Sequence, residues 1–298
     1  MTARKKILAG LVVITVLGGV AWLIFRTREP DPIYEGKPLS YWVARNQPRE
    51  GFRPALYKTD AQRAEAEAQR AGAQVQMAQA DAAVRHAGTN AIPLLLRLMR
   101  AYDSASKRKL IAWAEKRGII KPFVLTEAIP HHQAACGFEA LGADGKSAVP
   151  ELMRIYKAKR SWDSQDTVLQ ALGSISVGAE ESIPLLVGAT TNPEPVLRID
   201  AVEALGKISN QPARIVPSLL KALNDPDRNV RESAVYSLGN FGRDARPAVP
   251  ALLDVRKTLS PTSKFPPYLY QIDEALKKID PAAAANAGIQ TNKASPAQ

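Results

Sequence analysis

The sequence has a single cysteine, Cys136, among its 298 residues. One thiol cannot form an internal disulfide, and it cannot build a cysteine-rich zinc site. Three histidines leave little material for a histidine-based metal or catalytic centre. Aromatic residues make up only 6% of the chain, which disfavours an aromatic-rich β-sandwich or barrel. Because 46% of the residues are apolar and alanine is common, the composition favours closely packed helices instead.

A long apolar run lies near the N-terminus. It covers residues 7–25, or about 28 Å as a helix, and basic residues flank it on both sides. About 20 apolar residues span a bilayer, so we expect a transmembrane helix. The alternative is a cleaved signal peptide, whose apolar core is about 7 to 15 residues long. The apolar residues 22–25 continue past the weak cleavage site at residues 19–21, which favours the anchor.

The next segment combines a proline-rich stretch with two helices. Residues 30–38 contain three prolines and are predicted to be extended. Ser40 has the character of an N-cap for a short helix that carries Tyr41 and Trp42. We expect these aromatic rings to dock on the folded domain; contact with a lipid interface is the alternative. Residues 60–86 are rich in Ala, Gln, Arg and Glu, which predicts a long helix with an exposed face.

An internal repeat decides the fold. Three segments that end in Leu-Gly place Gly173, Gly206 and Gly239 at intervals of 33 residues. A proline follows each glycine after 11 residues and opens an apolar stretch with helical spacing. Less regular copies contain Gly88 and Gly142, which are 54 residues apart, so about 21 extra residues lie between them. One helical pair cannot bury its apolar face alone, so we expect five to six stacked pairs.

The Pro-x-Leu-Leu and Ala-Val-x-x-Leu-Gly helices, with Arg198 and Arg231 just before the latter, resemble HEAT repeats. The pattern resembles the family in its short bacterial form, also described as phycobilisome-lyase-like HEAT repeats. Residues 36–42 after an apolar run resemble membrane-anchored members of that family. The resemblance covers about residues 80–280 and implies an all-α, right-handed α-solenoid (a HEAT/armadillo-type superhelix) with an N-terminal transmembrane helix. HEAT arrays are usually protein-binding scaffolds, so the resemblance implies interaction rather than chemistry.

These observations divide the chain into four segments. They are a membrane anchor at 1–29, a juxtamembrane linker and helix at 30–79, a HEAT-repeat domain at 80–280 and a disordered tail at 281–298. The basic residues around the apolar run weakly favour a cytoplasmic N-terminus. We therefore predict a single-pass protein of the bacterial inner membrane with an extracytoplasmic repeat domain, while the opposite orientation stays open.

No motif of the sequence supports catalysis or a cofactor. Residues 140–147 fit a relaxed phosphate-loop pattern, but a repeat helix rather than a strand precedes them. His131, His132 and Cys136 offer too few ligands for zinc, and we expect a buried thiol beside solvated imidazoles. Residues 225–236 imitate a calcium loop but lack its central glycine and its final glutamate, so they are expected to begin as an inter-helix turn. We predict a non-enzymatic protein with no cofactor, metal or catalytic residue.

The net charge of +11 is concentrated in one region. Residues 97–160 hold 13 Lys and Arg against 6 Asp and Glu, whereas residues 161–298 hold 14 against 15. The simplest interpretation is a solvated helix face; the alternative is a patch for an anionic polymer or nucleic acid. The residues of this candidate patch are Lys107, Arg108, Lys109, Lys116, Arg117, Lys121, Arg154, Lys157, Lys159 and Arg160.

The sequence as a whole predicts a membrane-tethered scaffold that binds another protein along its concave surface. The identity of that protein is unknown, and nucleic acid is not the expected partner. Second helices usually line the concave surface of such arrays. The candidate contact residues are Arg198, Glu203, Lys207, Arg231, Glu232 and Tyr236. The two arginines have an alternative role as structural links between repeats.

Overall fold

The computed structural model describes residues 31–45, 60–100, 117, 128–208, 210–259 and 266–290. A short hairpin comes first and consists of β1 (Ile33–Tyr34) and β2 (Lys37–Pro38). The helices follow in this order: α1 (Leu39–Val43), α2 (Asp60–Ala87), α3 (Ile92–Met99), α4 (Ala128–Leu141), α5 (Val149–Lys157), α6 (Trp162–Ile175), α7 (Ile183–Ala189), α8 (Pro195–Lys207), α9 (Pro212–Ala222), α10 (Arg228–Asn240), α11 (Val249–Thr258), α12 (Pro266–Ile279) and α13 (Pro281–Asn286).

The hairpin is a feature that the sequence analysis did not predict. Its two strands are antiparallel, with Ile33 opposite Pro38. Glu35 and Gly36 connect them, and both have positive φ angles, 48° and 72°. Positive φ at both central residues is the backbone of a primed two-residue turn, whose twist matches that of the strands. The segment predicted to be extended at 30–38 therefore folds back on itself.

Helix α1 is capped by Asp31, which precedes the hairpin, rather than by its own serine. Ser40 lies inside the helix, and its backbone N–H donates to Oδ1 of Asp31 at 3.0 Å. Trp42 is buried, and its indole Nε1 donates to the carbonyl oxygen of Tyr34 at 3.0 Å. The ring of Tyr34 in turn lies 5.1 Å from that of His86 on α2. The aromatic segment thus docks on the folded domain, the first of the two alternatives considered above.

The remaining helices form two layers. The first helices of the pairs, here called the A helices, are α3, α5, α7, α9 and α11. The second helices, here called the B helices, are α4, α6, α8, α10 and α12, and α2 stacks before them in the same layer. Successive B helices pack closely against one another, whereas successive A helices touch at few positions. This arrangement is the predicted all-α solenoid; its right-handedness stays a prediction.

The close approach of the B helices explains two of the three glycines that recur every 33 residues. A Cβ atom added at Gly173 would lie 2.7 Å from the Cα of Ala204 on α8. One added at Gly206 would lie 2.9 Å from the Cα of Ser237 on α10. Both distances are too short for real carbon atoms, so only glycine fits without moving a backbone. These glycines therefore serve helix packing rather than helix termination.

Prolines begin most of the A helices. In α3, α5, α7 and α11 a proline occupies the first turn, where its missing N–H costs no helical hydrogen bond. Short 3₁₀ helices lead into these four helices. Helix α9 also begins at a proline, Pro212, but it differs from the other four because it contains Pro217 in its interior. The expected start at Pro217 is therefore wrong by one and a half turns, because the residues before it are α-helical here.

The tail that was predicted to be disordered from residue 281 begins with a helix. Asp280 is the N-cap of α13, and its Oδ1 accepts two backbone N–H bonds at 3.1 Å each. Ala284 and Ile289 are buried. Since a capped helix and two apolar side chains hold this segment against α12, the ordered domain extends to residue 290.

The predicted membrane anchor at residues 7–25 lies outside the described residues. Within the parts of the chain that the structure does describe, no helix is both long enough and apolar enough to cross a membrane. The longest of them, α2, has 28 residues but is rich in polar side chains. This finding contradicts the predicted localisation as a single-pass inner-membrane protein with an extracytoplasmic repeat domain, and that prediction does not stand.

Candidate functional site

The B helices line an open groove of about 490 Å³. Its walls come from the C-terminal halves of the four consecutive B helices α4, α6, α8 and α10, together with the residues that follow α6. The lining residues are Glu139, Gly173, Ser174, Ser176, Gly206, Lys207 and Asn240. Two of them are the glycines that let the helices approach, so backbone forms part of the wall. An open groove lined by charges and hydroxyls differs from the enclosed, mostly apolar pockets that hold small ligands.

Three of the predicted contact residues lie on this face. Lys207 lines the groove itself. Glu203 and Tyr236 lie one helical turn before Lys207 and Asn240, on α8 and α10 respectively. Tyr236 is 63% exposed, which is unusual for a large aromatic side chain. The carboxylate of Glu203 accepts a hydrogen bond from Oγ of Ser233 at 2.9 Å, which fixes its position above the groove.

Arg198 is a link between repeats rather than a contact residue. Its side chain is buried, and its Nε and Nη2 donate to the two carboxylate oxygens of Asp225 at 2.8 and 2.7 Å. Its Nη1 donates to the carbonyl oxygens of Asn192 and Pro193. Burial opposes ionisation of Asp225, but the hydrogen bonds and charge of Arg198 outweigh it and hold the pKa of that carboxyl below its usual value. This two-pronged bond ties α8 to the turn before α10.

Arg231 repeats part of this arrangement one repeat later. Its Nη1 donates to two carbonyl oxygens of the turn before α10, at 2.7 and 3.0 Å. Glu232 accepts from Nε of Arg228 at 2.6 Å, in a pair four residues apart on one helix. Both side chains are half-buried and bonded within their own repeat. Together with Arg198, half of the predicted contact set has a structural role in the repeat.

Sequence reasoning missed a buried pair of carboxyl groups between α6 and α8. Nε2 of Gln170 donates to Oδ2 of Asp166 at 3.3 Å and to Oδ1 of Asp200 at 3.4 Å. Burial raises the pKa of Asp200 to about 9, and the adjacent Asp166 and Glu203 add to this rise. Asp200 therefore holds a proton at neutral pH. The signal that could have found this pair is the repeat itself, because the two aspartates lie 34 residues apart, close to one repeat length.

The predicted basic patch is only partly described. Arg154, Lys157, Lys159 and Arg160 are exposed, at the end of α5 and in the turn before α6. Arg117 is also exposed. The other members lie outside the described residues: Lys107, Arg108, Lys109, Lys116 and Lys121. The described part forms one positively charged edge of the array.

The structure confirms the expected burial of the cysteine of α4 but not the expected exposure of its first histidine. Cys136 is buried, and its Sγ lies 3.4 Å from Nε2 of His132 on the same helix face. His131, which was expected in solvent, is fully buried. It shares a helix face with Ala134 and Phe138, three and seven residues further on, and both of these are in the core. Across the described ranges, no three His, Cys, Asp or Glu side chains are arranged to hold a metal ion.

The other two motifs singled out from the sequence are connections between helices. Oδ1 of Asp227 accepts from the backbone N–H groups of Asn229 and Val230 at 2.8 and 3.3 Å, which caps α10. The calcium-loop imitation is therefore turn chemistry, as predicted. Residues 140–147 complete α4 and continue into a 3₁₀ helix that ends at Ala148.

Comparison with known families agrees with this architecture. Residues 188–261 match the family model described as HEAT repeats. The matched segment runs from the end of α7 past α11 and contains the Arg198–Asp225 link. The comparison with curated proteins gives no match. The match supports a HEAT-repeat family, whose repeats commonly serve as protein-interaction scaffolds; it does not show the phycobilisome-lyase-like subtype.

Proposed function

We propose that this protein is a non-enzymatic HEAT-repeat scaffold that binds a protein partner in the groove of its B helices. The observation that supports the proposal is the open groove of about 490 Å³, built by four consecutive B helices. Each repeat adds a similar row of side chains to one continuous surface, which suits an extended segment or a helix of the partner. The Pro-x-Leu-Leu and Ala-Val-x-x-Leu-Gly helices also favour the phycobilisome-lyase-like form of the repeat.

The charges and the aromatic ring on this surface indicate which side chains the partner segment should carry. Glu203 and Lys207 present both signs of charge on one helix face, and Glu139 adds a further carboxylate at the start of the groove. Tyr236 offers a large ring with a polar end, a type of side chain that is enriched at protein interfaces. We therefore expect a partner segment with charges of both signs and an apolar side chain that packs on Tyr236.

Site-specific photocrosslinking tests the proposal. A photoreactive amino acid replaces Lys207 or Tyr236, and a matched probe replaces Lys221, an exposed lysine on the A helix α9. Both groove probes should yield an adduct with the same protein, which mass spectrometry identifies, while the Lys221 probe should not. Equal adducts from all three positions would contradict a groove-specific interface.

Affinity measurements with the identified partner then test the energetics. Tyr236→Ala should weaken binding on the order of tenfold or more, since central aromatic residues dominate interface energies. Lys221→Ala should leave the affinity unchanged. His132→Ala combined with Cys136→Ala should also leave it unchanged, because the proposal assigns no chemistry to that contact. A Tyr236→Ala variant with native affinity would argue against the proposed surface.

A further inference from the structure

Three arginines surround a small cavity on the edge of the array, apart from the groove. Arg100 follows α3, Arg154 lies in the last turn of α5, and Arg160 lies in the turn before α6. The cavity has a volume of about 70 Å³. The cavity is much smaller than the groove of about 490 Å³, which suits one small group rather than an extended segment.

The inner wall of the cavity is buried. Met99 and Ile155 supply apolar surface, and both are almost completely inaccessible to solvent. Ser164, in the first turn of α6, lies beside them and is also buried. The arginine side chains themselves remain exposed, Arg154 by 72%, so a ligand can reach them from solvent while it packs on the buried wall.

Glu151 holds two of the arginines in place. Its Oε1 accepts from Nε of Arg100 at 2.8 Å, and its Oε2 accepts from Nε of Arg154 at 2.7 Å. Hydrogen bonds from Arg154 and Arg100 lower the pKa of Glu151 below its usual value. Each guanidinium has five N–H donors, so both arginines keep donors that Glu151 does not use.

The cavity carries a surplus of positive charge. Three arginines face one carboxylate, and among the described residues Arg160 has no carboxylate partner. The guanidinium fork matches the oxygens of a phosphate, and a phosphate monoester carries a charge of about −1.5 to −2 at pH 7. The charge and the geometry of the donors therefore suit a dianionic tetrahedral group.

We propose that this cavity binds one phosphate monoester group carried by a protein partner, at a site separate from the groove. A nucleic acid presents a line of phosphates and requires a continuous basic track. On the C-terminal side the surplus of basic residues ends at this edge, since residues 161–298 hold 14 Lys and Arg against 15 Asp and Glu. A single phosphorylated side chain fits both the volume of the cavity and the local nature of the charge.

Titration calorimetry on the full chain at low ionic strength tests this site. The probes are a short phosphoserine peptide, its unphosphorylated form and a single-stranded DNA oligonucleotide. The phosphopeptide should bind saturably and the unphosphorylated peptide should not. Arg160→Gln and Arg154→Gln should each weaken phosphopeptide binding about tenfold, since each removes a charged hydrogen-bond donor. Circular dichroism checks that both variants remain folded.

Lys157→Gln is the matched control, because it removes the same charge from the same edge without lining the cavity. It should weaken phosphopeptide binding less than about twofold, because Lys157 donates no hydrogen bond into the cavity and acts only through a screened charge. A loss equal to that of Arg160→Gln would overturn the proposal in favour of diffuse attraction. Tighter binding of the oligonucleotide than of the phosphopeptide would overturn it in favour of a nucleic acid ligand. A phosphopeptide that does not bind would also overturn it.

Discussion

Replacing Gly173 by alanine should push α6 and α8 apart, and the array contains its own control. The added Cβ would lie 2.7 Å from the Cα of Ala204, so a backbone rather than a flexible side chain has to move. Gly239 occupies the corresponding position two repeats later. A Cβ there would lie 3.4 Å from the Cα of Ala275, which is an ordinary contact distance. The two substitutions are chemically identical and differ only in the space around them.

Two opposing effects set the expected magnitude. Alanine favours a helix over glycine by up to about 1 kcal/mol, and this gain is available at both positions. Overpacking a close helix contact costs about 1 to 3 kcal/mol, and only Gly173 meets that cost. We therefore expect Gly173→Ala to lower the free energy of unfolding by up to about 2 kcal/mol. Gly239→Ala should leave it unchanged or raise it by less than about 1 kcal/mol.

Urea unfolding followed by far-ultraviolet circular dichroism measures this difference. Both the midpoint and the slope of the transition are compared, because a changed slope would indicate that the repeats no longer unfold together. Equal midpoint shifts for the two variants would refute the reasoning that glycine sets the helix spacing. A higher midpoint for Gly173→Ala than for the native chain would refute it as well.

The same assay tests two buried polar features. Arg198→Ala should lower the free energy of unfolding by about 3 to 5 kcal/mol, because it leaves the carboxylate of Asp225 buried without its partner; a loss no larger than that of Arg231→Ala would contradict this. Asp200 holds a proton in the folded protein that the unfolded chain releases above about pH 4, so the stability of the native chain should fall as pH rises from 4 towards 9. Asp200→Asn cannot ionise and should remove this contribution, which unfolding at pH 5, 7 and 9 would reveal; parallel pH profiles for the two proteins would contradict it.

The repeat could be predicted because its packing recurs at fixed intervals. Gly173, Gly206 and Gly239 reveal the period, and the composition of residues 60–86 predicts α2 to within one residue at its end. The hairpin could not be predicted in this way, because strands of two residues are too short for any periodicity. Helix α13 after residue 280 was not predicted, because a run of alanines shows no clear hydrophobic periodicity. The capping aspartate before it was visible in the sequence.

The candidate site was predictable where helical register alone decides exposure. Lys207 and Tyr236 come shortly after buried apolar residues of their own helices. Helical periodicity therefore places both side chains on the exposed face. Burial of Arg198 depends on Asp225, which belongs to the next repeat, and no local pattern could reveal that contact. Arg100 was absent from the predicted basic patch for the same reason, because its neighbours at the cavity come from two other helices.

The unequal packing of the two layers has a mechanical consequence. The backbones of the B helices already touch at Gly173 and Gly206, so this side of the array resists shortening. The A helices have few contacts with one another, and their separation can change at lower cost. The solenoid should therefore bend mainly by changing the separation of the A helices, while the B helices keep their spacing. The arginine cavity lies between helices of both layers, on the side that opens and closes. An anion bound there would link helices of both layers and limit this bending.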